Sequence, residues 1–193
     1  MAKIHQIRSN LYKALNIVNI VYIHKLKEFL SKVGVPGTLS FKTIVTDEET
    51  RELSGVQFSA HALDTRYNYI LFSPDFIRDI VIGTESHVFT KELNEKPTLS
   101  KLIQRFLQDY NDAFSSLIPL EPQFNKWVRT HSPYDQPTII SKFTFRSTYH
   151  DVNSYMYITL APSCIPTLES IVAARTHRKS GLIGPKIGLD DAS

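Results

Sequence analysis

Cysteine is scarce in this sequence, and the spacings of common metal-binding motifs are missing. Its 193 residues include one cysteine, Cys164, which excludes an internal disulfide and is typical of a reducing compartment. The seven histidines are scattered, with no His-x-x-x-His or Cys-x-x-Cys spacing among them. We therefore expect no metal, no cofactor and no catalytic residue, and we expect Cys164 to pack as a small core side chain.

Long apolar runs and a strong charge bias are missing as well. The longest apolar stretch, Leu15 to Ile23, is interrupted by Asn16 and Asn19, and the first eight residues contain no signal-peptide core. A net charge of +3 is too small to indicate a nucleic-acid-binding protein. We therefore expect a cytoplasmic protein that neither spans a membrane nor binds nucleic acid.

The apolar residues that are present recur with helix and strand periods. Steps of three and four predict a helix over about residues 8–33, with Gly34 at its C-cap, and a second long helix capped by Thr98. Shorter helices are predicted after a capping Ser73 and around Leu168. Alternation predicts six strands, over residues 38–45, 56–60, 67–72, 123–130, 138–147 and 152–160.

The order helix, three strands, helix occurs twice, and part of the sequence repeats with it. Residues 67–74 (YNYILFSP) match residues 155–162 (YMYITLAP) at an offset of 88. One half alone would expose a sheet edge and an apolar helix face, so we expect both halves to pair with internal two-fold pseudo-symmetry. The predicted fold class is α/β (α+β), one central sheet flanked by helices over residues 1–174, with a flexible tail or linker over residues 175–193.

This doubled pattern resembles the fold shared by the middle domains of the flagellar motor switch family FliM and the CheC-type phosphatases of bacterial chemotaxis. The second half carries the resemblance, in the segments 120–122 (LEP), 129–134 (RTHSPY), 157–162 (YITLAP) and 168–171 (LESI). The similarity covers about residues 8–174. It implies a non-catalytic scaffold in the rotor's cytoplasmic ring (the C-ring), at the flagellar basal body on the inner face of the membrane but not inserted in it.

The resemblance also implies particular partners. FliM middle domains sit beside neighbouring FliM-like subunits and bind FliG-like proteins. The family binds FliN-like proteins through a C-terminal domain and CheY-type regulators through an N-terminal peptide, and neither part is apparent in this sequence. We therefore expect protein partners, with the FliG-like protein and neighbouring subunits foremost.

CheC-type phosphatases carry a Glu and, three residues later, an Asn on each long helix, where the pair positions a water against an aspartyl phosphate. Here Asn16 matches the Asn, but Lys13 stands at the acid position, and Lys101 and Gln104 occupy the second pair. A lysine cannot accept a hydrogen bond from the attacking water, so we expect no phosphatase activity. A CheC-type phosphatase that uses Asn16, a type III secretion ring protein and an adaptor outside motility are the alternatives.

The family contacts FliG through a Gly-Gly loop after the short helix of the first half. One glycine of that pair is kept here, at Gly83, within a long aperiodic segment of the kind that often carries function. We expect Phe89 to be an aromatic anchor for a partner, unless Val88 and Phe89 fold back into the core. The predicted partner-binding residues are Ile82, Gly83, Thr84, Glu85, Ser86, His87, Val88 and Phe89.

Overall fold

The computed structural model describes residues 9–44, 49–63, 65–85, 96–132, 138–149 and 151–183. Within these residues the chain forms helices and strands in the predicted order. The helices are α1 (Ser9–Lys32), α2 (Pro74–Glu85), α3 (Lys96–Phe114) and α4 (Cys164–Ile183). The strands are β1 (Gly37–Ile44), β2 (Leu53–Ala60), β3 (Thr65–Phe72), β4 (Pro122–Thr130), β5 (Ile139–Ser147) and β6 (Asn153–Leu160).

The six strands form one antiparallel sheet in the order β1-β5-β6-β3-β2-β4. At its centre β3 pairs with β6, and Ile70 lies directly opposite Ile158. These two residues are 88 positions apart, so the pseudo-two-fold axis passes between them. The predicted equivalence of residues 67–74 and 155–162 is thereby confirmed.

The outermost strands are exchanged between the halves, a feature that the sequence pattern did not reveal. β1 pairs with β5 of the second half, and β4 pairs with β2 of the first half. Neither β1 nor β4 therefore pairs with the strand that follows it in the chain. Because each half covers the open sheet edge of the other, the two halves complete one sheet together.

One face of the sheet carries the main core, to which all four helices contribute. The long helices α1 and α3 pack against each other at the pseudo-two-fold axis. There the rings of Tyr22 and Tyr110, also 88 residues apart, meet edge to face with their centroids 5.1 Å apart. The predicted C-cap glycine of α1 is confirmed, since Gly34 has a φ of 75°, which favours glycine.

The opposite face of the sheet carries a second, smaller core whose members all belong to strands. Its buried residues are Leu53, Leu71, Ile140 and Tyr157. The chain segments next to β2 and β4 pack at its margin. The Arg51 guanidinium lies 3.8 Å from the ring centroid of Tyr155, and the Arg51 backbone N–H donates to the carbonyl of His131 at 2.9 Å. A cation over an aromatic face thus covers part of this apolar surface.

At three helix ends the structure departs from the prediction, either in position or in capping. α3 begins at Lys96, two residues before the expected cap Thr98. Ser73 precedes α2 as predicted and its carbonyl accepts the N–H groups of Phe76 and Ile77, but its hydroxyl accepts the backbone N–H of Tyr155 at 2.9 Å. α4 continues to Ile183, beyond the expected end of regular structure at residue 174. The division of the chain at residue 174 stays a prediction, and residues 184–193 lie outside the described part.

Candidate protein-binding site

The predicted binding segment begins in the last turn of α2. Phe76 anchors this helix, because its ring lies 5.6 Å from the ring of Phe72 and 6.1 Å from that of Phe145. The backbone of Ile82, Gly83, Thr84 and Glu85 is helical, so α2 runs two residues past Gly83. Ser86, His87, Val88 and Phe89 lie outside the described residues, and the binding role of the whole segment stays a prediction.

The first predicted phosphatase pair lies on α1, and its asparagine is attached to the sheet. Lys13 is exposed and Asn16 is half-buried, and the Thr43 hydroxyl donates to Asn16 Oδ1 at 2.9 Å. The amide of buried Asn19 in turn donates to Thr43 Oγ1 at 2.9 Å and to Ser141 Oγ at 3.0 Å. These hydrogen bonds hold the Asn16 side-chain oxygen toward β1, and a lysine stands at the acid position.

Sequence reasoning missed this polar network. The sequence shows Asn19 only as an interruption of an apolar stretch, although its place on the buried side of α1 was a usable signal. A buried amide needs hydrogen-bond partners, and here two hydroxyls from different strands provide them. The network therefore links α1 to both β1 and β5.

The second predicted pair, on α3, offers no carboxylate at the acid position either. Lys101 and Gln104 are both exposed. The nearest ion pair on this helix is between Arg105 Nε and Asp109, at 3.1 Å and one helical turn apart. Among the residues that the structure describes, no group of three or more His, Cys, Asp or Glu side chains could hold a metal ion.

Cys164, the one cysteine, is a core side chain, as its isolation in the sequence predicted. It lies at the start of α4 and is fully buried. Burial raises the pKa of its thiol from 9.0 to about 11. A thiol with so high a pKa is almost entirely protonated at neutral pH and is a poor nucleophile.

The outer side of α1 carries an exposed apolar surface that sequence reasoning did not identify. Ile17, Ile20 and Val21 are 58%, 47% and 40% exposed, although the opposite side of the same helix fills the core. We name these three residues the outer stripe. Their counterparts on α3 at the offset of 88 are the polar residues Arg105, Gln108 and Asp109. The outer stripe is therefore specific to the first half and has no structural role inside the core.

No helix among the described residues combines the length and the apolar character that a membrane crossing needs.

This sheet with its four helices is the fold of FliM middle domains. FliM from H. pylori matches with a TM-score of 0.60 and 14% identity as a middle domain (86% of this chain and 99% of that chain). The same protein in a FliM–SpeE complex matches with a TM-score of 0.64 and 12% identity, over 89% of this chain and 98% of that chain. Thermotoga maritima FliY matches with 0.58 and 10% identity (89% and 100%). The chemotaxis protein CheX from Desulfovibrio desulfuricans matches with a TM-score of 0.50 and 8% identity, over 75% of this chain and 99% of that chain.

No protein-family model and no curated protein matches the sequence. The structural similarities have identities of 8–14%, and they establish the fold that this chain shares with flagellar switch and chemotaxis proteins. The predicted FliM/CheC-like fold is thus confirmed.

Proposed function

We propose that this chain is a non-catalytic scaffold subunit of the flagellar motor switch. In this role it binds neighbouring ring subunits and a FliG-like protein, and so couples a chemotaxis signal to the direction of rotation. The observation that carries the proposal is the match to 99% of a FliM middle domain, in a chain with Lys13 and Lys101 at the phosphatase acid positions. The proposal places the protein in the cytoplasm, at the basal body, with FliN-like and CheY-type proteins as further partners.

Two features support protein binding as the activity of this fold. The outer stripe exposes three large apolar side chains in one patch on α1, and such patches mark contacts with other proteins. H. pylori FliM was solved as a complex with SpeE, which is an example of a protein partner on a related structure. The SpeE complex supports protein binding by this fold in general, whereas the FliG-like protein and the ring subunits are the partners that we propose for this chain.

The first experiment measures binding of the FliG-like protein of the same organism by isothermal titration calorimetry. Phe89→Ala should weaken binding by roughly 30-fold, about 2 kcal/mol, since aromatic anchors dominate the energy of protein interfaces. The control is Tyr67→Ala, because Tyr67 is 59% exposed and lies at the end of β3 remote from α2. Unchanged binding by Phe89→Ala would remove the segment 82–89 from the interface.

Thermal melting of the same variants separates binding from folding. Phe89→Ala should leave the melting temperature within a few degrees of the unsubstituted protein. A large fall would assign Phe89 to the core instead. If the FliG-like protein does not bind at all, but a ring protein of a type III secretion system does, the secretion alternative replaces the flagellar one.

A CheC-type phosphatase is the second candidate, favoured by Asn16 at the matching position and by the fold shared with CheX. The test follows loss of label from a phosphorylated CheY-type protein. We expect no acceleration above spontaneous decay, because neither long helix has a carboxylate at the acid position. Acceleration that disappears in Asn16→Ala and persists in Gln104→Ala would establish the phosphatase in place of the scaffold.

A further inference from the structure

The outer stripe continues at both ends with charged or polar residues on the same side of α1. Lys13, Ile17, Ile20, His24 and Glu28 follow one another at steps of four, three, four and four, and all five are exposed. Such spacing places them in one line along the helix, as in the contact seam of paired helices. α1 therefore has two contact faces, one in the core and one on the surface.

We propose that α1 pairs in antiparallel orientation with α1 of a second copy of this chain. A two-fold axis between Ile20 and Val21 places Ile20 of each copy against Val21 of the other copy. It also places Ile17 against His24, and Lys13 against Glu28. The surface is thus self-complementary, as a two-fold symmetric interface requires.

Charge complementarity determines this occupant and this orientation. Glu28 is the only acidic residue of α1, and the antiparallel arrangement brings it next to Lys13 of the other copy. A parallel arrangement would bring each Lys13 next to the other Lys13 and would cost energy through like-charge repulsion. The antiparallel dimer therefore joins both apolar stripes and forms two symmetry-related ion pairs.

The polar character of the corresponding side of α3 limits association through the outer stripe to two copies. Arg105 and Asp109 there form an ion pair of 3.1 Å with each other, and Gln108 is exposed between them. Since the second half has no apolar counterpart of the outer stripe, each copy offers one such surface and the contact closes on itself. Three apolar side chains per copy form a contact well below the roughly 1,200 Å² of a standard interface, so the dimer should be weak.

This inference uses only the surface of α1 and does not depend on the proposed switch function. The test is sedimentation equilibrium of the whole chain over a wide concentration range. We expect a monomer–dimer equilibrium that Ile20→Glu abolishes, because it places two carboxylates together at the two-fold axis. Gln108→Glu is the matched control, at the counterpart position on α3, and should leave the equilibrium unchanged.

A charge exchange then tests the orientation. Lys13→Glu or Glu28→Lys alone should weaken the dimer about three- to tenfold, since each changes both symmetry-related surface ion pairs. The double variant Lys13→Glu/Glu28→Lys should restore the dissociation constant of the original protein. A monomer at every concentration, a dimer indifferent to Ile20→Glu, or a double variant as weak as the single ones would each overturn the proposal.

Discussion

Tyr22 on α1 and Tyr110 on α3 are equivalent residues whose rings meet at the pseudo-two-fold axis, yet the outer sides of these helices are unlike. The first half exposes Ile17 and Ile20, where the second half has Arg105 and Gln108. Residues that face the shared core must satisfy the same packing in both halves, whereas exposed positions are free of that requirement. The difference between the halves therefore identifies the surface on which a function specific to one half can reside.

The halves also differ inside the core, where a polar side chain of one half has an apolar counterpart in the other. Asn19 of α1 has Leu107 as its counterpart on α3, and both side chains are buried. Asn19 links α1 to the sheet by buried hydrogen bonds to Thr43 and Ser141, and no such bond is possible for the leucine at the equivalent position of α3. The two halves therefore share a backbone fold but differ in the polarity of their core side chains and of their exposed surfaces.

The largest expected effect tests the shared axis. Tyr22→Ala and Tyr110→Ala should each lower the free energy of unfolding by about 3–5 kcal/mol, as for other buried aromatic residues. The double variant should lose less than the sum, because the two rings contact each other with centroids 5.1 Å apart. Urea denaturation measures all three variants. If one single variant lost less than about 1 kcal/mol, the two halves would not share the core equally.

The next effect concerns the different side chains at the starts of α2 and α4. Cys164 lies two residues after Pro162, as Phe76 lies two residues after Pro74. Burial raises the thiol pKa to about 11, so the folded state holds the proton more tightly than the unfolded state, whose thiol titrates near 9.0. This contribution is complete below pH 9 and is lost as the pH rises toward 11, by up to about 2 kcal/mol.

Cys164→Ala isolates that contribution in unfolding experiments between pH 8 and pH 11. Buried Tyr22 and Tyr110 also have raised pKa values, because burial disfavours their ionised forms, and they add to the alkaline loss of stability in both proteins. We expect the stability of the variant to fall less steeply than that of the original protein. Parallel curves would contradict the raised thiol pKa.

A smaller effect is expected when the core difference is removed. Asn19→Leu copies the counterpart Leu107 and removes the amide that donates to Thr43 and Ser141, although Thr43 still donates to Asn16 and Ser141 still bonds Tyr110. We expect a loss of about 1–2 kcal/mol, because two buried hydrogen bonds are lost. The lower part of the usual range applies, because Asn19 Oδ1 itself accepts no hydrogen bond within the described residues. A gain in stability would show that the network opposes folding.

The smallest effect is expected when the surface difference is removed. Ile17→Arg copies Arg105 at an exposed position and should change the free energy of unfolding by less than about 0.5 kcal/mol at low protein concentration. The reciprocal Arg105→Ile should lose about 0.3–0.5 kcal/mol, since it removes the ion pair with Asp109. Denaturation curves of both variants provide the measurement. A loss above about 2 kcal/mol for Ile17→Arg would place Ile17 in the core.

Much of the fold could be predicted from the sequence because helix and strand periods are local properties. The bounds of α1 agree with the prediction within one residue, and the repeat between residues 67–74 and 155–162 predicted that β3 and β6 are equivalent strands. Less of the candidate site could be predicted from the sequence. Asn16 was identified only as a match to the resemblance, and local spacing does not show that Asn16 and Asn19 both bond Thr43.

The sequence by itself determined the order of the helices and strands and the offset of 88, because each depends on neighbouring residues or on comparison along the chain. Only the tertiary structure decided that β1 pairs with β5 and β4 with β2, since residues far apart in the chain form those pairs. It also brought the Asn19 amide within hydrogen-bond distance of Thr43 and Ser141, which lie 24 and 122 positions away in the chain. Such contacts depend on the packing of the whole molecule, because no local period of the sequence encodes them.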